Sequence, residues 1–367
     1  MAKKRWLKFF KSSEETIKSF NASRFKDTEK LVNLKNDSGK KFILCLPVMK
    51  GERDEPLLNE LRAATGLKRE GFLDQIILAY SGTEKDSIPQ AIRSSEISED
   101  VEVIFTDRIR VPDMLPSQVE RGKGADMRRV AYYITTQLLH KGEDLKSYVV
   151  GFLDGDILPV AEIQGKKVKA FGPHFILSLF GPFIIDPVLK MVSLAYCRPL
   201  GYSRVNKLIA QPLFSLLKHK KLDPIRPPYV ISGEKAWDLL TLLDLRFRQK
   251  YGEETQKWLD AAFKISPSAI GTVNVGFFDH KHQAIEDLRA MSFGILRTWL
   301  ENLLEQGLLK LGDEVEISDV LEYSEINPKG QRVYFRKEFE EKTYPPLAGL
   351  FHKEKELFKP SELTQSS

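Results

Sequence analysis

The stretch that decides the fold is YVVGFLDGDILP, Tyr148–Pro159. Apolar and small residues run unbroken into Asp154, Gly155 and Asp156. A short run without polar alternation predicts a strand buried on both faces. Such strands build parallel sheets covered by helices, and ligands bind beyond their carboxyl ends. The two aspartates stand at that end. Residues two apart on an extended segment share a side, so both carboxylates face one place. They repel unless a cation or hydrogen-bond donors lie between them. Mg²⁺ and Mn²⁺ take oxygen ligands and commonly bridge carboxylates to phosphates. Gly155 would let a ligand approach the backbone closely. Aspartate and glycine are also common turn residues, so the dyad alone fits a solvated turn as well as a metal site.

Upstream, KKFILCLPV predicts a first buried strand and LLNELRAATGL the helix after it. LDQIILAYSGT and VEVIFTD read as further strands, and ADMRRVAYYITTQLLH has helical period. This βαβ-like alternation predicts an α/β protein with a mostly parallel sheet. The strand ends PVMKGE, YSGTEKDS and DGD should share one rim. Downstream, DPVLKMVSLAYCRPL and IGTVNVGFFDHKH read as strands, SRVNKLIAQPLFSLLKH and YGEETQKWLDAAFK as helices. A long amphipathic helix follows, with Ile285, Leu288, Met291, Ile295, Trp299, Leu303 and Leu304 near one face. That face fits a core or a homodimer contact equally. The charged tail from about Gly312 reads as a small α/β or irregular appendage. The chain divides into N-terminal lead-in helices (1–40), a ligand-binding domain (41–283), and the long helix with its C-terminal appendage (284–367).

The bulk numbers fit a globular protein: 367 residues, 42% hydrophobic and 29% charged. A net charge of +5 suits anionic ligands without announcing nucleic acid, and no nucleic-acid-binding motif is present. Cys45 and Cys197 lie in apolar runs and read as free thiols in a reducing compartment, so a cytoplasmic location is expected. The apolar stretch FILSLFGPFII is too short to span a bilayer. The first residues mix Lys3, Lys4, Arg5, Lys8 and Lys11 with Trp6, Phe9 and Phe10. An ordinary amphipathic lead-in is the plainer reading of that segment, and an anionic membrane surface the other.

Two more segments carry candidate chemistry. In RGKGADMRR two glycines flank Lys123 just before a helix, a suitable place for a diphosphate, although the Walker A spacing is absent. In FFDHKH, His280 and His282 close a strand, and a neutral imidazole can ligate an ion such as Mn²⁺. Taken alone, each fits a structural role as well. No G-x-G-x-x-G follows the first strand, and no G-x-S-x-G or H-E-x-x-H occurs.

In chain order the sequence presents a strand ending near Pro47, then YSGT, GKG opening a helix, D-x-D, FGPHFILSLFGP, CRPL, SRVNKLIAQPLFSLL, SGE, YGEE and VNVGFFDHKH. From about Ser19 to about Leu300, this ordered set resembles the glucosyl-3-phosphoglycerate and mannosyl-3-phosphoglycerate synthase group of retaining GT-A glycosyltransferases. The resemblance implies a Rossmann-like GT-A domain with a C-terminal helical appendage. It implies transfer of a hexose from an NDP-sugar, UDP-glucose favoured, to a small phosphorylated or carboxylated acceptor such as 3-phosphoglycerate. It implies Asp156 and His280 as ligands of Mg²⁺ or Mn²⁺, and Asp154 with Gly155 at the nucleotide-sugar. Lys123 and Gly122 would lie by the diphosphate, and Pro47 and Ser81 by the nucleotide. Glu254 matches an acidic residue near the transferred sugar; Gly233 and Glu234 match the segment by the acceptor. Asp156, Lys123 and Glu254 would be the catalytic residues.

Arg204 matches an arginine that grips the acceptor phosphate. Around it the chain departs from the pattern. Asn206 stands where threonine is common, Phe278 where the group has arginine, His282 where it has asparagine, and Ser193 where it has lysine. His282 is the candidate to restore donor capacity. The departures keep two alternatives open: the same chemistry on a glycerate, sugar or lipid-linked acceptor, or a non-catalytic nucleotide-sugar-binding protein.

Overall fold

The structure is a computed structural model that describes residues 16–49, 54–116, 119–163, 166–198, 203–280, 283–326, 328–339 and 341–354. His282 lies outside the described residues. The first half runs β1 (Lys18–Asn21), α1 (Thr28–Ser38), β2 (Lys41–Met49), α2 (Asp54–Arg69), β3 (Gln75–Ser81), α3 (Ser87–Arg93), β4 (Val101–Phe105), α4 (Lys123–His140) and β5 (Tyr148–Phe152). The hairpin β6 (Val160–Ile163) and β7 (Lys166–Lys169) follows, then α5 (Pro173–Ile185) and β8 (Met191–Cys197). A π-helical turn, Asn206–Ala210, leads into α6 (Gln211–Leu216). The remainder is β9 (Lys235–Asp238), α7 (Leu239–Asp244), β10 (Phe247–Arg248), α8 (Glu253–Lys264), β11 (Ile270–Phe277), α9 (Ile285–Glu305), β12 (Val320–Ile326), β13 (Arg332–Glu338), β14 (Thr343–Tyr344) and α10 (Ala348–Glu354).

Eight strands form the main sheet in the order β1-β11-β8-β9-β5-β2-β3-β4. All neighbours pair parallel except β9, which is antiparallel to both β5 and β8. Side-chain alternation along β2 shows why its sequence is apolar throughout. Phe42, Leu44 and Leu46 join the core on one face with Leu57, Leu61 and Phe180. Ile43 and Cys45 join the core on the other with Val130 and Ile134 of α4. Each such fully buried side chain contributes roughly 1.5–3 kcal/mol. Helix α5 is apolar on every side because it is enclosed: a Cβ at Gly151 of β5 would collide with the Phe180 ring, and one at Gly181 with Phe25.

The lead-in differs from the helices expected there. Its first described element is β1, an edge strand paired with β11 from Lys18↔Gly271 to Asn21↔Asn274. Helix α1 follows, capped by the Asp27 carboxylate, which accepts the Lys30 N–H at 3.0 Å, and ended by Gly39 at φ +65°. After α9 the C-terminal part is mixed. β12 and β13 form a hairpin, and β14 pairs antiparallel with β10. In α9 itself Ile295, Trp299 and Leu303 are buried in the core. Among the described residues no helix is long and apolar enough to cross a membrane.

Candidate active site

Beyond the carboxyl ends of β2 and β5 lies a cavity of about 490 Å³. One end is built by Pro47, Gly122, Lys123, Asp154, Gly155 and Glu254. The first residue of α4 is Lys123, and Gly122 precedes it at φ +135°. The flanking glycines are tightly packed: a Cβ at Gly122 would overlap the Gln249 carbonyl, and one at Gly124 the Arg248 carbonyl. The GKG segment is thus pressed against the backbone at the end of β10.

Lys123 Nζ donates to Asp154 Oδ1 at 2.5 Å and to Glu254 Oε1 at 3.0 Å. Burial works against the ammonium, but the two carboxylates outweigh it and hold its pKa well above the usual lysine range. Burial likewise works against the Asp154 carboxylate, and Lys123 outweighs it, so Asp154 stays below the usual range. Gly233 sits behind this pair. A Cβ there would overlap both the Asp154 carboxylate and Lys123 Nζ. Glu234 is fully buried beside it, accepting from Tyr196 OH at 3.0 Å and Ser232 Oγ at 2.8 Å. Burial, then the charge of Asp154, pushes the Glu234 carboxyl up to about 7.

Asp156 and His280 meet in the same cavity. An isolated antiparallel bridge, Ile157↔His280, joins their segments, and Leu158 N–H donates to the Asp279 carbonyl at 2.9 Å. His280 Nδ1 lies 3.9 Å from Asp156 Oδ2. Burial, then the Asp154 charge, raises the Asp156 carboxyl to about 6. Among the described residues no group of three or more His, Cys, Asp or Glu side chains could hold a metal. One carboxylate and one imidazole, open to the cavity, still fit a divalent cation that completes its shell with substrate phosphates.

The other end of the cavity is formed by Tyr196, Arg198, Arg204 and Tyr229, with Leu288 and Met291 from α9 as an apolar wall. Arg198 lies 3.5 Å from Asp279. The face of α9 is therefore split: its first turns line the cavity and its later turns fill the core. Four residues expected at the site do not line it, Gly233 behind the Lys123–Asp154 pair being one. Asn206 is buried, and its Oδ1 accepts the Val230 N–H at 2.9 Å and the Ile231 N–H at 3.4 Å, a structural task. Ser81 ends β3 opposite Met49, outside the lining. Glu234 acts from beneath. Phe278 also faces inward, stacked on Tyr196 with ring centroids 3.9 Å apart and edge-on to His280 at 5.3 Å.

Several functional side chains escaped the sequence reading. The fully buried Glu60 of α2 accepts the Ile157 N–H at 2.8 Å and fixes the backbone just after the aspartates. Burial raises its carboxyl well above the usual range, the N–H bond opposing. Glu341 accepts the N–H groups of Lys250 at 2.9 Å and Gly252 at 2.8 Å, at the start of the helix that carries Glu254. Arg121, Arg198, Lys250 and Tyr251 line the cavity. Arg198 was visible in CRPL, and Lys250 and Tyr251 adjoin YGEE. The other two serve backbone groups and leave no side-chain motif.

No family model matches the chain. Its sequence is 26% identical over 322 residues to a glucosyl-3-phosphoglycerate synthase of Petrotoga mobilis, covering 85% of this chain and 88% of the relative. A glucosyl-3-phosphoglycerate synthase of Mycobacterium tuberculosis is 26% identical over 245 residues, 63% of this chain and 64% of that one. In sequence this chain is similar to glucosyl-3-phosphoglycerate synthases, and its fold is the GT-A fold of the solved structures. Its fold matches the crystal structure of mannosyl-3-phosphoglycerate synthase from Rubrobacter xylanophilus with a TM-score of 0.70 at 20% identity, covering 91% of this chain and 96% of that one. It also matches glucosyl-3-phosphoglycerate synthase from Mycobacterium tuberculosis in complex with Mn²⁺, UDP and phosphoglyceric acid, with a TM-score of 0.64 at 21% identity, covering 88% and 95%.

Proposed function

We propose that this chain is a divalent-metal-dependent retaining glycosyltransferase that transfers glucose from UDP-glucose to 3-phosphoglycerate. The observation that carries the reading is the convergence of Lys123, Asp154, Glu254, Asp156, His280 and Arg204 on one cavity. The similar proteins named above, with UDP, Mn²⁺ and phosphoglyceric acid bound in one of them, support the choice of substrates. The free cysteines suit a cytoplasmic enzyme.

Asp156 and His280 would hold Mg²⁺ or Mn²⁺. When bound, the cation supplies charge stabilisation to the leaving diphosphate. The rest follows from the chain's own residues. The C1–O bond to the diphosphate breaks with its electron pair going to the leaving group, and the acceptor hydroxyl oxygen forms the new bond to C1. Its proton passes to the departing phosphate, in the front-face attack implied by the family resemblance. Lys123, already pre-positioned by two carboxylates, stabilises the negative charge as it develops. Glu254, 3.0 Å from that ammonium, faces the sugar and favours its positive character. Tyr196 and Ser232 keep Glu234 in place under Asp154. Arg204 pairs with the acceptor's anionic group.

A second reading keeps the chemistry and changes the acceptor. Phe278 is stacked inward on Tyr196, and Leu288 and Met291 give that end of the cavity an apolar wall. One experiment separates the readings. The protein is incubated with Mg²⁺ or Mn²⁺, UDP- or GDP-sugars, and 3-phosphoglycerate, glycerate or glycerol phosphate. Nucleotide release is measured and products are identified by mass. Release of UDP with glucosyl-3-phosphoglycerate as product is the expected outcome. Turnover on another acceptor alone selects the second reading, and no release with any pair removes both.

A further inference from the structure

We propose that Lys235, a buried lysine of β9 with no part in the reaction steps above, is a positioning residue for the Lys123–Asp154 pair and acts through segment 230–234. The inference rests on the reading that this end of the cavity holds the donor diphosphate. Lys235 is 1% exposed. Its Nζ donates to the Ser232 carbonyl and to the Val230 carbonyl, the latter at 3.4 Å. Asn206 Oδ1 accepts the Val230 and Ile231 N–H groups of the same segment, and Leu194 N–H donates to the Glu234 carbonyl at 3.0 Å. The segment is thus clamped through its N–H groups and through its carbonyls. Between the clamps stands Gly233, where a Cβ would overlap both the Asp154 carboxylate and Lys123 Nζ. With no clearance there, a shift of the segment one way removes the backing of the ion pair, and a shift the other way collides with it.

An ammonium is a costly means of satisfying two carbonyls in a core. Burial pushes Lys235 down to about 8, and Lys123 adds to the fall, while Glu254, Glu234 and Glu253 oppose it. The group therefore remains charged at neutral pH. The charge has a use at this place. Asp154 and Glu254 share the single ammonium of Lys123, and Lys235 supplies a second positive charge that favours the Asp154 carboxylate. The strands beside β9 offer no other. Lys235 is paired with Phe152 of β5 on one side and with Ser193 of β8 on the other. Ser193 is buried, and its Oγ has no hydrogen-bond partner among the described residues. Directly opposed residues share a face, with Cβ atoms roughly 5 Å apart, so a lysine at 193 would start beside the stem of Lys235.

Wild type, K235M and S193K/K235M are compared by calorimetric titration with UDP in the presence of Mn²⁺, and by nucleotide release with UDP-glucose and 3-phosphoglycerate. K235M should bind UDP about tenfold more weakly and turn over about tenfold more slowly, with the 3-phosphoglycerate KM within about twofold of wild type. S193K/K235M, which returns an ammonium to the same face from one strand away, should regain most of both losses. K235Q, which keeps a neutral donor, should fall between wild type and K235M, and it carries the comparison if K235M does not fold. The proposal is overturned if K235M binds UDP and turns over like wild type, which would leave Lys235 a purely structural residue. A 3-phosphoglycerate KM that rises as much as kcat falls would overturn it by showing general loosening. So would an S193K/K235M protein with the wild-type melting temperature and the UDP affinity of K235M, since the charge would then not be the cause. The titration does not need turnover. A wild type that binds UDP without transferring glucose would remove the reaction and leave this proposal to be decided by the UDP affinities, whereas a wild type that binds no UDP removes both.

Discussion

The two ends of the cavity are built on different terms. At the Lys123 end the ammonium is held by two carboxylates, the glycines are pressed against neighbouring backbone, and buried Glu234 and Glu60 lie beneath. At the Arg204 end an exposed arginine stands near tyrosines and an apolar helix face. The first end is organised before any ligand arrives, which suits stabilisation of charge that develops during a reaction. The second leaves Arg204 exposed to meet its ligand, which suits binding and permits substitution. Of the described departures, Phe278 stacks on Tyr196 and Asn206 accepts from Val230 N–H, both on the second side.

If the contrast is real, substitutions at the first end lower turnover and those at the second change acceptor affinity. The largest effect is expected from Asp156→Ala and His280→Ala, each lowering kcat by about a hundredfold or more in a nucleotide-release assay with Mn²⁺. Wild-type rates in both would remove the metal site. Lys123→Met should cost about a hundredfold in kcat with little change in acceptor KM. A change confined to acceptor KM would move Lys123 to the other side of the comparison.

Glu341→Ala tests whether order at the first end is imposed from outside it. The buried Gly252 N–H and the partly buried Lys250 N–H lose their acceptor, so urea unfolding should show a loss of about 2–4 kcal/mol. The kcat should fall about tenfold as Glu254 loses its support. Glu341→Gln, which keeps an acceptor oxygen, should recover most of both.

Asp126, which lines the same end, gives a pH test. Burial, only partly offset by Arg129, raises its carboxyl to about 6. In the unfolded chain the group ionises near pH ~4. The folded protein therefore holds an extra proton between about pH 4 and 6. The stabilisation is complete below about pH 4 and lost as the pH rises through 6. Urea unfolding should show Asp126→Asn gaining on the wild type across that window, by at most about 3 kcal/mol. A flat difference would mean that Asp126 is ionised throughout.

The smallest effect belongs to the second end. Arg204→Ala should raise the 3-phosphoglycerate KM about tenfold while leaving kcat near wild type. An unchanged KM would point to another acceptor.

The sheet was legible because β2, β3, β5 and β11 are apolar runs and periodicity reports burial directly. β1 was not: KSFN is short and half polar, as an edge strand can be, and only β11 makes it a strand. Lys123, Asp154, Asp156 and His280 could be named from their motifs, while their meeting in one cavity required the fold. Arg204 and Asn206 lie two apart, yet one lines the cavity and the other caps buried N–H groups. The π-helical turn that begins at Asn206 sets which side faces in, and no residue pattern announced it. Glu60 and Glu341 stayed hidden because they serve the backbone of distant segments.

The pairing of β14 with β10 also sets an order of manufacture. The Lys123 segment, the aspartates, Arg204, Glu254 and His280 are all synthesised before Glu341 and the Thr343–Tyr344 strand. A chain still on the ribosome thus carries every cavity-lining side chain while Lys250 and Gly252 await their acceptor. The site is completed only by residues after about 340, and a chain released before them would have the parts of the cavity without the brace that sets Glu254.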